Sequence, residues 1–297
     1  MSSSPASRTL PPLAPGATIG IVFPAGPVRE ADRYHRGLAI LQELGFTVMT
    51  PRELPECDGY LAGDDLCRAG ELHRLWANPG VAAVMAARGG YGCLRLLPHL
   101  DLDLLLRTPK PLIGFSDVTA LHAVCNRAGL PSVHGPVVTS LASADVDSVR
   151  RLAEVLMCAT PPPLPGRKVE ILRAGSARGS CCGGNLATLC SMLATAYDPD
   201  FSGGILVLED VAEQAYRIDR MLTQLAMAGK LERIAGLVLG TFEGCADVEQ
   251  VWKRALELTP DIPVWGNFPV GHGSRNCSLM LGVTAEMDGA TATLRYP

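Results

Sequence analysis

Short apolar runs alternate with amphipathic stretches through the first half of the chain. Ile19 to Phe23 is a continuous apolar run that predicts a first strand, and Pro24-Ala25-Gly26-Pro27 turns the chain out of it. Tyr34, Leu38, Leu41 and Leu44 then recur at helical spacing and stop at Gly45. Phe46 to Met49 predicts a second strand, and about Asp64 to Ala77 a helix that ends before Asn78-Pro79-Gly80. Val81 to Ala87 predicts a third strand that is nearly all apolar, as expected where both faces of a sheet are covered. Leu112-Ile113-Gly114-Phe115 reads as another buried strand. It runs into a helix with Val118, Leu121, Val124 and Cys125 on one face and Gly129 as its stop. A short strand at Ser132-Val133-His134 and a helix over Val146 to Cys158 complete a doubly wound α/β unit. Ligands of such sheets bind at the carboxyl ends of the strands.

The proline-rich run from Thr160 to Gly166 predicts a linker, because proline cannot donate to a strand ladder and stiffens a connection. The expected division is an N-terminal α/β domain over 1–160, a linker over 161–167, and a smaller mixed, barrel-like α/β domain over 168–297. In that second half Gly183-Gly184-Asn185 is expected to open a helix reaching Leu193. Ile205 to Leu208 reads as a buried strand ending at Glu209-Asp210, and Tyr216 to Met227 as a helix that turns Ile218, Met221, Leu222 and Leu225 inward. Leu237 to Leu239 is a further strand. Asp288-Gly289 predicts a two-residue hairpin turn between Val283–Met287 and Ala290–Leu294.

Composition narrows the function classes. With 297 residues, 47% hydrophobic and 19% charged, the chain has ample material for a buried core. A net charge of −4 gives no reason to expect nucleic acid or an anionic membrane as partner. The residues at 1–17 form a Ser/Pro/Ala-rich lead-in without the apolar segment of a signal peptide, and no run approaches the ~20 residues of a membrane span. The ten cysteines are scattered without zinc-ligand spacing. Reduced thiols in a cytoplasmic protein, with neither metal nor cofactor, are the expectation.

Ser116 sits at the seam between the strand ending at Phe115 and the following helix. There a hydroxyl can face a cleft beside the N–H groups of a helix start, as an acyl-transfer nucleophile requires. The alternative is a simple N-cap, with Asp117 as a favourable first-turn acid. The esterase elbow G-x-S-x-G is absent, since Val118 stands where its second glycine belongs. Arg88-Gly89-Gly90-Tyr91-Gly92 follows the third strand directly and offers either backbone donors or a tight turn. Glu209 ends an apolar strand, where a carboxylate can stay desolvated and orient an imidazole; Asp210, Glu213 and Asp219 are competing acids. Of six histidines, His272 lies between glycines in a loop, while His122 and His134 stay open as bases on spacing alone.

These motifs stand in one order: ARGGYG at 87–92, GFSDVTALH at 114–122, GGNLATL at 183–189, GILVLEDVAEQAYRIDRML at 204–222 and GHGSRN at 271–276. The combination resembles the LD-carboxypeptidase family, cytoplasmic serine peptidases that trim murein peptides. The resemblance implies Ser116 as nucleophile, Glu209 as orienting acid, His272 as base, a homodimer, and a murein tetrapeptide cut before its terminal D-alanine. Backbone N–H groups of Gly90 and Asp117 are the expected oxyanion donors. Ala25 stands where members often carry serine, and Cys182 where a bulkier side chain is expected. Two other readings remain. One is a peptidase of the microcin-immunity type acting on peptide–nucleotide conjugates, which an aromatic nucleobase platform in the C-terminal half would favour; Trp252 and Trp265 are the tryptophans there, and neither adjoins a motif. The other is a non-catalytic binder of anionic peptides.

Overall fold

The computed structural model describes residues 11–166 and 168–297; most of the expected lead-in and Arg167 of the expected linker lie outside the described residues. The first half runs β1 (Thr18–Val22), α1 (Ala31–Glu43), β2 (Thr47–Met49), α2 (Asp65–Ala77), β3 (Ala83–Ala86), α3 (Cys93–Leu96), α4 (Leu102–Arg107), β4 (Leu112–Gly114), α5 (Thr119–Arg127), β5 (Ser132–His134), α6 (Val138–Leu141) and α7 (Val146–Met157). The period-two alternation of β1 shows why helices cover both faces. Ile19 and Ile21 pack with Tyr34, Leu41 and Leu152, while Val22 packs on the opposite face with Leu75, Trp76 and Val118. Asp64 and Asp145 cap α2 and α7 by accepting from Cys67 N and Ser148 N, each at 2.8 Å.

β1 to β5 are parallel and lie in the order β5-β4-β3-β1-β2. The chain moves outward from β1 to β2 and then returns to the other side of β1 at β3. The loops after β1 and β3 therefore flank a topological switch point, where open α/β sheets bind ligands.

The second half supplies β6 (Leu164–Pro165), β7 (Glu170–Arg173), β8 (Ala177–Asn185), α8 (Leu186–Met192), β9 (Ile205–Val211), α9 (Ala215–Met227), β10 (Gly236–Glu243), α10 (Val248–Leu258), β11 (Val264–Gly266), β12 (Leu279–Leu281), β13 (Thr284–Asp288) and β14 (Thr293–Arg295). Eight of these strands form a curled sheet in the order β6-β14-β13-β8-β9-β10-β11-β7, parallel from β8 to β11. Leu206, Leu208, Leu237 and Leu239 face helices α8 to α10. Ile205, Val207 and Val238 face inward onto Trp265, Phe268 and Met287.

The two sheets interlock. β12 leaves the second half to pair antiparallel with β5, which extends the first sheet by an edge strand. The chain then returns at once, with Cys181 N donating to Val283 O and Gly282 N to Cys181 O.

Several sequence expectations are corrected. Gly183-Gly184-Asn185 does not open a helix but ends β8, and Asn185 caps α8 by accepting from Thr188 N at 3.0 Å. Pairing with β9 holds these residues extended. Glu209 and Asp210 lie inside β9 rather than beyond it. Asp288 pairs with Thr293, so residues 289–292 connect the hairpin instead of Asp288-Gly289. Within the proline-rich run, Leu164 and Pro165 pair with β14, a sheet-edge position where a missing N–H is tolerated.

Candidate active site

Ser116 opens a 3₁₀ turn, Ser116–Val118, that leads from β4 into α5. Its φ of 62° is rare for a residue with a side chain, a backbone strain that clusters at functional sites. The serine makes no side-chain cap, so its N-cap reading does not describe this turn. The turn is held from two sides. Asp117, buried, accepts from Cys93 N at 2.8 Å, and burial raises its pKa against the lowering effect of that bond. The bond ties the serine turn to the end of the Arg88–Gly92 loop. On the other side Gly89 closes against the serine, where a Cβ would stand 3.1 Å from Ser116 Cβ and 3.2 Å from Oγ. Gly90, the expected donor, is exposed with φ 116°. Asp117, the second expected donor, lies in the first turn, whose amides lack intrahelical acceptors.

Glu209 is wholly buried on β9. Its Oε2 lies 2.7 Å from His272 Nδ1, and its Oε1 has no hydrogen-bond partner among the described residues. Gly271 makes this contact feasible, because its φ is 114° and a Cβ there would stand 2.7 Å from Glu209 Cβ and 2.8 Å from Oε2. The His272 loop is further pinned by Thr241 Oγ1 donating to His272 O at 2.7 Å and by Gly271 N donating to Asn276 Oδ1 at 3.1 Å. Burial works against a charged His272, but the Glu209 hydrogen bond and the charges of Glu209, Asp210 and Glu243 outweigh it. Its pKa is raised above the ordinary histidine value.

The competing groups separate clearly. Asp210 accepts from Asn185 Nδ2, Ala187 N and Val211 N, and so is committed to the start of α8. Glu213 lies beyond the strand, 3.7 Å from Arg217, and Asp219 pairs with Arg254. His122 is fully buried with Nε2 2.9 Å from Gly114 O, and burial pushes its pKa down to about 3. His134 is buried on β5, with a pKa likewise lowered by burial. It touches the Phe115 ring, with centroids 5.9 Å apart.

The same Phe115 ring lies 4.7 Å from the His272 ring, so the serine turn and the histidine loop meet through this aromatic side chain. A direct Ser116–His272 hydrogen bond is not among those formed by the described residues. The sequence did not single out Gly89, Thr241 or Asn276 individually. The ARGGYG and GHGSRN strings contain two of them, but a period-based reading assigns no partner to a loop residue. No group of side chains suited to hold a metal ion occurs among the described residues. None of the described helices is long and apolar enough to cross a membrane.

Comparison with known proteins places two domain models on the chain. The model described as the LD-carboxypeptidase N-terminal domain matches residues 19–135, and that of the LD-carboxypeptidase C-terminal domain matches 178–287. A putative carboxypeptidase of Synechocystis sp. is 37% identical, covering 100% of both chains. The murein tetrapeptide carboxypeptidase of Pseudomonas aeruginosa is 33% identical, over 97% of this chain and 98% of that one. Among solved structures, the microcin C7 self-immunity protein MccF in complex with glutamyl sulfamoyl guanosine superposes with a TM-score of 0.89 at 25% identity, covering 98% of each chain.

Proposed function

Because the chain belongs to the LD-carboxypeptidase family and is a serine peptidase, we propose that it removes the terminal D-alanine from murein tetrapeptides, with Ser116, His272 and Glu209 as its catalytic triad. The observation that carries this reading is the hydrogen bond at 2.7 Å between buried Glu209 and His272, whose ring packs on Phe115, the residue before a serine held at φ 62°.

Catalysis then follows triad logic in the chain order Ser, Glu, His. His272, neutral, takes the Ser116 proton through Nε2 as the hydroxyl attacks the carbonyl between the diamino acid's L-centre and D-alanine. Glu209 accepts from Nδ1, which sets the tautomer and offsets the imidazolium charge. Backbone N–H groups of Gly90 and Asp117 receive the oxyanion; one such donor is worth about 3–4 kcal/mol of barrier. His272 returns the proton to the leaving amine, and water hydrolyses the acyl-enzyme by the same route. Catalytic hydrogen bonds tighten on substrate binding, so the Ser116–His272 bond belongs to the loaded site.

The triad in this reading spans the division into 1–160 and 168–297, so the serine works only against residues of the other half. Action in the cytoplasm, on peptides released from murein, and assembly as a homodimer complete the proposal. The microcin-immunity reading is disfavoured by its proposed platform: Trp252 and Trp265 are 5% and 0% exposed and pack in the cores. The test is mass spectrometry of murein tetrapeptide incubated with the protein. Loss of one alanine is expected, and an intact peptide refutes the reading.

A further inference from the structure

A carboxypeptidase differs from an endopeptidase in recognising a free α-carboxylate on the leaving residue. That carboxylate is separated from the attacked carbonyl carbon by only three bonds, so a cation must lie close to the nucleophile. We propose that Arg88 receives this carboxylate, a role that rests on the peptidase reading above.

Arg88 emerges from the carboxyl end of β3 and is half-buried at the switch point. Its Nη1 donates to Pro27 O at 3.0 Å. A Cβ on Gly26 would stand 2.7 Å from that nitrogen, and one on Gly90 3.7 Å. The guanidinium thus lies against both loops that flank the switch point. The neighbouring residue of the same turn, Gly89, is the one packed on Ser116 Oγ. The turn that carries Arg88 is therefore the one packed against the serine hydroxyl.

The charge of Arg88 is also uncommitted. Among the described residues no carboxylate lies within ion-pair distance of it, and one backbone carbonyl uses only one of five guanidinium N–H groups. The other nearby cations are engaged. Arg68 and Arg95 share Asp65, and Arg275 is paired with Asp145 and Asp147. A planar fork with free donors suits a carboxylate better than a point charge does. In the mechanism above the Gly90 N–H of the same turn goes to the developing oxyanion, which leaves the Arg88 side chain for the substrate's own charge.

The experiment compares a tetrapeptide ending in D-alanine with the same peptide ending in D-alaninamide, for the full-length wild type, Arg88→Gln, Arg88→Lys and Lys168→Gln. Lys168 is an exposed cation that lines a groove with Arg275 and Thr241. Wild type is expected to prefer the free acid. Arg88→Gln should lose about 10- to 100-fold in kcat/KM on the acid, the scale of one charged hydrogen-bond partner, while amide cleavage stays within about threefold. Arg88→Lys should keep part of the preference, and Lys168→Gln should keep all of it. If Arg88→Gln does not fold, by circular dichroism, partial loss of preference in Arg88→Lys carries the same information. Retained preference, equal slowing on both peptides, or collapse only in Lys168→Gln overturns the assignment and leaves the peptidase reading intact. A wild type that cleaves neither peptide overturns both.

Discussion

Replacing Glu209 by glutamine removes the charge that the fold has buried most completely beside His272. The carboxylate is 0% exposed and its Oε2 lies 2.7 Å from Nδ1. Solvent therefore screens it little. When His272 takes the serine proton, a cation forms next to this anion. Two unit charges about 4 Å apart attract by about 4 kcal/mol at an effective dielectric of about 20. Since about 1.4 kcal/mol is tenfold in rate, loss of that attraction should lower kcat about 10³-fold. Glutamine can also present its NH₂ group to Nδ1 and favour the wrong tautomer, which adds to the loss. KM should change little, because the carboxylate does not touch substrate. The assay is D-alanine release from murein tetrapeptide, run beside Glu213→Gln as the control. Glu213 is 24% exposed on its side chain and pairs with the more exposed Arg217 at 3.7 Å, so its loss should alter kcat less than about twofold. A Glu209→Gln enzyme within tenfold of wild type, or a larger effect from Glu213→Gln, refutes the reasoning.

Ser116→Ala should abolish turnover at unchanged stability, since the hydroxyl makes no cap and alanine meets the same positive φ; wild-type rates from the purified variant refute Ser116 as nucleophile. The acid limb of the kcat/KM–pH profile should lie above the ordinary histidine value of about 6.5, because His272 must be neutral to act and its pKa is raised. Removing the Glu209 charge should move that limb to lower pH, and a limb that stays in place excludes His272 as the titrating base. Residues 1–160 and 166–297 expressed separately should each lack activity, and the first piece should melt lower than the intact chain. It loses edge strand β12, so β5 and its apolar neighbours become exposed. Turnover by the first piece alone would return His122 or His134 to the mechanism.

The chain's local patterns determined most of its elements. The apolar run through Ile19, the helical spacing of Ile218, Leu222 and Leu225, and the stop at Gly129 each depend on neighbours within a few residues, where periodicity and backbone preference act. The order of the motifs likewise carried the family and brought Ser116, Glu209 and His272 forward as a set. Boundaries between elements were less legible. Gly183-Gly184-Asn185 has the composition of a loop before a helix, and only pairing with β9 keeps it extended.

The tertiary structure decided which acid meets which base. Nothing local distinguishes Glu209 from Asp210, since both end the same apolar strand. Alternation along β9 sends one carboxylate to His272 and the other to Asn185 and the start of α8. His122, His134 and His272 are equally histidines in sequence. Burial pushes the pKa of the first two down, while the fit of Gly271 against Glu209 places the third beside a carboxylate. The positive φ of Ser116 and the exchange of β12 between sheets belong to the same class. Each arises from contacts between segments far apart in the chain, whose energies a one-dimensional pattern does not contain.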